Sequence, residues 1–271
     1  MKIESLYVCP TFNCNLKCPH CELRKLNIVY NHDKFLYMLK TLSFGHAILF
    51  GGEPFLYDDR YTEIIESGLI SSVSTNLLTM KDSIGRLIHE YNISVATSWN
   101  VSRFTHRQYH QWLNNVQYMH AYTEQILVLV TLTEDLILSD KNVILNMFKQ
   151  WKNYGVTSIM FEQLCDESKN QEFYNRCDTW LCDIDYMWDS EKMPTNKIVE
   201  KIKHGWTFDC TKTYTLLPDG TLIKGCPQTI TIPYSINMRC VTCEKANICQ
   251  PCALQANNCT MPINLYNRYN G

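Results

Sequence analysis

The sequence predicts an α/β fold: an open or partial barrel of six parallel strands covered by helices, followed by a small loop-rich region dense in cysteine. Three observations predict it. Between residues 3 and 163 short apolar runs alternate with longer amphipathic ones, the pattern of repeated βα units. Beyond residue 164 the alternation stops. The 14 cysteines are unevenly placed, with four in the first 21 residues, none in 22–164, three in 165–182 and seven in 210–259.

The strands are expected at 3–8, 47–50, 71–75, 93–97, 125–132 and 158–163, each a short apolar run. The clearest helix is 140–153. There Asp140 can cap, Val143, Ile144, Met147, Phe148 and Trp151 form one apolar face, and Gly155 stops the helix. Residues 58–66 and 81–91 read as helices of the same kind. Residues 166–203 are polar, aromatic and charged with no clean period, which predicts a bridging segment holding at most one short helix. A hairpin follows at 214–217 and 221–224, its turn marked by Pro218-Asp219-Gly220. The remainder is too poor in aliphatic residues to make its own core, so bound metal is expected to organise it. The resulting division is 1–165, 166–205 and 206–271.

A length of 271 residues suits one large domain or two ordinary ones. With 25 Lys and Arg against 27 Asp and Glu, neither a nucleic-acid footprint nor a disordered acidic tail is indicated. The start Met1-Lys2-Ile3-Glu4-Ser5 does not read as a signal peptide, and the aliphatic run at 126–130 is far too short to span a bilayer. A cytoplasmic protein without a membrane partner is expected. In a reducing compartment, clustered cysteines are metal-binding or catalytic more often than disulfide-bonded.

The first cysteine set is Cys14-Asn15-Leu16-Lys17-Cys18-Pro19-His20-Cys21, placed just after the first strand. Three thiolates on one short loop can hold three irons of a cubane and leave the fourth open for a ligand. A zinc knuckle completed from elsewhere, for instance by His20, is the competing reading. Phe50-Gly51-Gly52-Glu53-Pro54 directly follows the second strand. Its two glycines admit close backbone approach to a ligand, and its carbonyls and Glu53 can accept hydrogen bonds from an ammonium group.

These two motifs together resemble the radical S-adenosylmethionine (SAM) enzyme superfamily. The resemblance covers roughly residues 1–165 and implies a partial (β/α)6 TIM-like barrel. It also implies a [4Fe-4S] cluster on Cys14, Cys18 and Cys21, whose open iron is chelated by the amino and carboxyl groups of SAM. Gly51, Gly52, Glu53 and Pro54 would lie beside SAM. His20 stands where the family usually has an aromatic residue beside the adenine. Strand ends supply further pocket candidates: Asn76, Ser98, Thr131 and Glu162, with Ser98 the contact that the resemblance favours for the SAM carboxylate or ribose.

The tail carries Cys210, Cys226, Cys240, Cys243, Cys249, Cys252 and Cys259, more thiolates than one zinc or one cubane needs. A zinc ribbon with spare thiols competes with two metal centres. The pattern resembles the SPASM extension of radical SAM enzymes, which implies two auxiliary clusters, expected as [4Fe-4S]. It departs from that pattern in having one more residue between Gly220 and Cys226 and one fewer between Cys249 and Cys252. By resemblance, Cys240, Cys243, Cys249 and Cys259 hold the distal cluster, and Cys210, Cys226 and Cys252 the nearer one. Its fourth ligand is Cys165, Cys177, Cys182 or an open position. For those three and Cys9, simple packing is the expected role.

The loop after the fourth strand offers Trp99, Asn100 and Arg103 as substrate contacts, Arg103 being a cation able to grip a carboxylate or phosphate. The resemblance implies a radical SAM oxidoreductase. Its cluster supplies the electron that cleaves SAM to a 5′-deoxyadenosyl radical, which takes a hydrogen from a peptide substrate, as in maturases of ribosomally made peptides. The auxiliary clusters carry electrons, and a flavodoxin or ferredoxin is the expected reductant. A small-molecule dehydrogenase or epimerase acting on an amino sugar or cyclitol is the alternative, and a non-catalytic zinc adaptor the distant one. No general acid or base is assigned.

Overall fold

The computed structural model of the chain describes residues 3–18, 21, 23, 28–56, 58–163, 171–190 and 213–225. Cys210, Cys226, Cys240, Cys243, Cys249, Cys252 and Cys259, together with His20 and Cys165, lie outside the described residues. The six expected strands form, at Ile3–Val8 (β1), Phe44–Leu49 (β2), Ser72–Thr75 (β3), Ser94–Trp99 (β4), Ile126–Leu132 (β5) and Ser158–Gln163 (β6), each parallel to the next. Between them run helices α1 (His32–Thr41), α2 (Asp58–Glu66), α3 (Asp82–Glu90), α4 (His106–His120), α5 (Glu134–Ile137) and α6 (Lys141–Asn153).

The hairpin also forms, as β7 (Thr213–Leu216) and β8 (Leu222–Lys224), and it joins the same sheet. β7 pairs parallel with β1, Leu6 opposite Tyr214 and Val8 opposite Leu216. The strand order is β6-β5-β4-β3-β2-β1-β7-β8, an open sheet with β1 in its interior. Both ladders run past β1: Phe50 N donates to Val8 O and Cys9 N to Leu216 O, each at 2.9 Å.

Local chemistry explains the helices that carry the site. Asp140 caps α6 as expected, its side chain accepting from Asn142 N at 2.8 Å. The buried stripe of α6 is Ile144, Leu145, Phe148 and Trp151, whereas Val143 is 62% exposed. The expected face was therefore one position off, with Leu145 in place of Val143. At α4 a reciprocal pair closes the first turn: Thr105 Oγ1 accepts from Gln108 N, and the Gln108 side chain accepts from Thr105 N.

The bridging segment departs most from expectation. It contains α7 (Gln171–Ser190), a helix of 20 residues rather than a short one. Phe173, Cys177, Trp180, Leu181 and Ile184 recur at helical spacing and are buried against the core.

That core lies between the sheet and its helices and is strongly aromatic near β4 to β6. Trp151 packs on Trp99 (5.1 Å between ring centroids), Trp112 (5.3 Å) and Phe148 (5.0 Å), and Phe161 packs on Trp180. Such pairs contribute about 0.5–1.5 kcal/mol each beyond the area they bury. Trp112 Nε1 donates to Thr97 Oγ1 at 3.0 Å, so the indole is not buried at the cost of its hydrogen bond. β4 accordingly alternates: Val95, Thr97 and Trp99 are buried, and Ser94, Ala96 and Ser98 are half-buried on the opposite face. Among the described residues no helix is long and apolar enough to cross a membrane.

Candidate cofactor site

The C-terminal ends of β1, β2 and β3 are tied into one unit. After Cys9 the chain runs beside the turn that follows β2, and Gly52 N donates to Thr11 O (2.8 Å) and Glu53 N to Asn13 O (2.7 Å). A Cβ on Gly51 would stand 2.3 Å from Thr11 O, and one on Gly52 only 1.9 Å from Asn13 O. Gly51 also has φ +139°, a conformation open to glycine. The close approach that the sequence reserved for a ligand is thus made to the backbone leading into Cys14. The turn clamps the cysteine loop, which is the physical reason the two motifs belong together. Pro54 and Phe55 follow as buried residues of a single 3-10 turn.

Glu53 is fully buried, and its carboxylate is committed inward. Oε1 accepts from Thr75 Oγ1 (2.6 Å) and Phe55 N (3.1 Å), and Oε2 accepts from Asn76 N (2.7 Å). Burial pushes this carboxyl above the ordinary range, while the three bonds and the Arg103 charge oppose the shift. The side chain that the sequence offered to an ammonium group joins the end of β2 to the end of β3. The Gly51 and Gly52 carbonyls, by contrast, accept no hydrogen bond from any described residue.

Cys14, Cys18 and Cys21 are free and half-buried on this loop. Cys21 N donates to Cys18 O at 3.1 Å, closing a turn between them. Cys14 Sγ accepts from Leu16 N (3.4 Å) and Asn76 Nδ2 (3.7 Å). Burial pushes the Cys14 thiol above its ordinary value, while the Leu16 bond and the Arg103 charge pull it down. No three His, Cys, Asp or Glu side chains among the described residues draw together around a single ion. Thiolates of one cubane have no need to, because each takes a different iron. Asn76 is 2% exposed, its Oδ1 accepting from Leu78 N and its Nδ2 donating to Asn15 Oδ1 at 2.6 Å as well as to Cys14.

Beside this unit lies the loop after β4. Trp99, read from sequence as a substrate contact, is buried and packs against Trp151. Asn100 is buried; its Oδ1 accepts from Ser102 Oγ, but its Nδ2 has no partner among the described residues. Arg103 Nε is likewise buried without one. The guanidinium stands 5.6 Å from the Phe104 ring centroid, and its charge bears on both Cys14 and Glu53. Two unpaired buried donors beside the cysteine loop suit an anionic group, since each costs stability until a ligand acceptor meets it.

The β4 to β6 candidates are also brought together. Ser98 pairs in register with Leu129, Thr131 lies two residues on along β5 on the same face, and Glu162 occupies the register position beside Thr131. Of the remaining cysteines, Cys9 and Cys177 are buried and Cys182 is exposed. Burial alone holds the Cys9 thiol far above its ordinary value, a packed group rather than a ligand.

The signals that sequence reading passed over lie within these motifs. Thr11 and Asn13 act through their carbonyls, which carry no side-chain signature. Asn15 and Leu16 sit inside the cysteine spacing itself.

No sequence-family model and no curated protein matches the chain. Solved structures do. Streptococcus suis SuiB bound to the precursor peptide SuiA aligns with a TM-score of 0.61 at 12% identity, over 84% of this chain and 60% of SuiB. SuiB bound to S-adenosylmethionine aligns at 0.59, again at 12% identity, over 84% of this chain and 59% of that one. Native anSMEcpe with bound AdoMet aligns at 0.61 and 15% identity, over 98% of this chain and 96% of that one. The chain thus spans about 60% of the length of SuiB, and nearly the whole of anSMEcpe. At these identities the likeness is one of fold: the open eight-stranded sheet with its cysteine loop after β1 has the architecture of these S-adenosylmethionine-bound and peptide-bound structures.

Proposed function

We propose that this protein is a radical SAM enzyme of the maturase type that modifies a peptide. The observation that carries the reading is the clamp between the turn at Gly51 to Pro54 and the loop of Cys14, Cys18 and Cys21, with the unpaired donors Asn100 Nδ2 and Arg103 Nε beside it. The three thiols fit three irons of a [4Fe-4S] cluster. Bound there, that cluster would supply the low-potential electron for reductive cleavage of SAM to methionine and a 5′-deoxyadenosyl radical, the species able to take a hydrogen atom from the substrate.

The chain's own residues bind and orient. The Gly51 and Gly52 carbonyls accept from the ammonium of SAM. Arg103 and Asn100 donate to a carboxylate, of SAM or of the substrate, and so meet the acceptor they lack. Ser98 and Thr131, with Glu162 at the adjoining register position, mark the strand ends at which the rest of SAM and the substrate would lie. Glu53 takes no part in proton transfer, because each carboxylate oxygen is already bonded inside the protein. A peptide substrate is supported by the fold shared with SuiB, which is seen with a precursor peptide. Cys210, Cys226, Cys240, Cys243, Cys249, Cys252 and Cys259 hold two auxiliary clusters, and a flavodoxin or ferredoxin supplies electrons.

Anaerobic reconstitution with iron and sulfide, metal analysis and an assay for 5′-deoxyadenosine with SAM and dithionite test this reading. About twelve irons per chain and SAM cleavage support three cubanes. Stoichiometric zinc without cleavage overturns the reading.

A further inference from the structure

We infer that Asn76 is a tuning residue for the cluster, setting its reduction potential through a hydrogen bond from Nδ2 to the Cys14 sulfur. This rests on the reading of Cys14, Cys18 and Cys21 as cluster ligands. The sequence suggested Asn76 as a strand-end contact for SAM; in the structure its side chain is bonded within the protein.

Every polar atom of that side chain has a named partner. Oδ1 accepts from Leu78 N at 2.9 Å, and the two Nδ2 hydrogens serve Asn15 Oδ1 at 2.6 Å and Cys14 Sγ at 3.7 Å. Three bonds fix the side-chain amide, and a fourth fixes its backbone. Its backbone N–H is held by Glu53 Oε2, and the next residue, Leu77, has φ +53°, a conformation that turns the chain back sharply after β3. Leu77 is pinned in it by its own N–H to Thr75 Oγ1 (3.0 Å) and by Asn115 Nδ2 to its carbonyl (2.7 Å). A side chain 2% exposed and held this way is an oriented donor with little freedom to serve SAM.

The three cysteines are not equivalent. Cys14 receives donors from Leu16 N and Asn76 Nδ2, and among the described residues no donor reaches the sulfur of Cys18 or Cys21. A donor to a ligating thiolate stabilises the reduced, more negative cluster more than the oxidised one, so it raises the potential. Asn76 thus eases delivery of the electron to the cluster.

The test is an EPR-monitored redox titration of the reconstituted protein and of two variants. In Asn76→Ala the donor is gone, and the oxidised-to-reduced ratio at fixed potential should rise about tenfold, a fall of about 59 mV for one electron. Asn76→Asp keeps an acceptor for Leu78 N but turns an anion toward the sulfur, so its potential should fall further. A purely structural role would lower cluster yield while leaving the potential of the assembled clusters unchanged. Unchanged potentials in both variants, with wild-type spectra and iron content, overturn the inference alone. Failure of the wild type to assemble any [4Fe-4S] cluster overturns it together with the functional reading. If Asn76→Ala does not fold, the ordering of wild type and Asn76→Asp decides.

Discussion

Two neighbouring regions at the same end of the sheet are built on opposite principles. The loops after β1, β2 and β3 satisfy one another: Gly52 and Glu53 bond to Thr11 and Asn13, and Glu53 bonds to Thr75 and Asn76. The loop after β4 leaves two buried donors, Asn100 Nδ2 and Arg103 Nε, without a described partner. A closed network specifies one geometry, and buried unmet donors mark where a ligand completes it. The difference teaches that the first region holds a fixed shape around the cysteines, whereas the second keeps donor capacity to spare, which is what the proposed reading gives to a carboxylate.

The contrast breaks most severely if the clamp is opened. Gly52→Ala places a methyl group 1.9 Å from Asn13 O, so the cysteine loop must move. Iron content after reconstitution should collapse, and 5′-deoxyadenosine formation with it. Wild-type iron loading in this variant would show that the clamp is dispensable.

In the second region Arg103→Ala removes the donor that the proposed reading gives to a ligand carboxylate, and no internal bond of the clamp. A charge-assisted hydrogen bond contributes about 1.5–3 kcal/mol, so the Kd for the carboxylate-bearing ligand, SAM taken first, should rise roughly 10- to 150-fold. The Tm should stay within about 1 °C of wild type, or rise, because an unmet buried donor is gone. A large fall in Tm would make Arg103 part of the scaffold and erase the distinction.

Glu53→Gln gives the reverse signature. Gln cannot accept at both ends, so it turns an N–H donor toward Thr75 or Asn76 and costs about 1–3 kcal/mol. At this size that is a fall of about 2–4 °C in Tm per kcal/mol, with ligand affinity following only as far as the fold is lost. Thermal unfolding and SAM titration on one sample separate the two effects.

The smallest effect lies outside both regions. On the surface, Tyr118 and Tyr122 hydroxyls donate to Asp82, and Arg86 pairs with it, so the Asp82 carboxyl sits below the ordinary carboxylate range. A depressed carboxylate contributes stability above its unfolded value and loses it as pH falls through the lower folded one. The Tm of Asp82→Asn should therefore lie slightly below wild type at neutral pH and converge with it under strong acid. A pH-independent difference would assign the effect to packing.

How much of this was written in the sequence varies with the range of the interaction. β1 and β6 were legible residue for residue, because a strand run between turns is a local signal. The Asp140 cap was legible for the same reason. α7 was not, although Phe173, Cys177, Trp180, Leu181 and Ile184 keep helical spacing, because Tyr174, Tyr186 and Trp188 fall between them and blur the apolar stripe. α4 carried a readable signal in Thr105 and Gln108 that was passed over. At the site, the cysteine spacing and the glycine turn were legible as local motifs. Their clamp, and the inward turn of Glu53, depend on pairing between strands far apart in sequence, which no local pattern records.

The place of β1 between β2 and β7 also has a consequence for how the molecule is made. Its second edge, including the bond from Cys9 N to Leu216 O, cannot be sealed until residues roughly 200 positions later exist (216 against 8). At about 5–20 residues per second of synthesis, that interval is about 10–40 s. Throughout it the first strand is paired on one side only, and the late arrival of β7 completes the sheet at the foot of the cysteine loop.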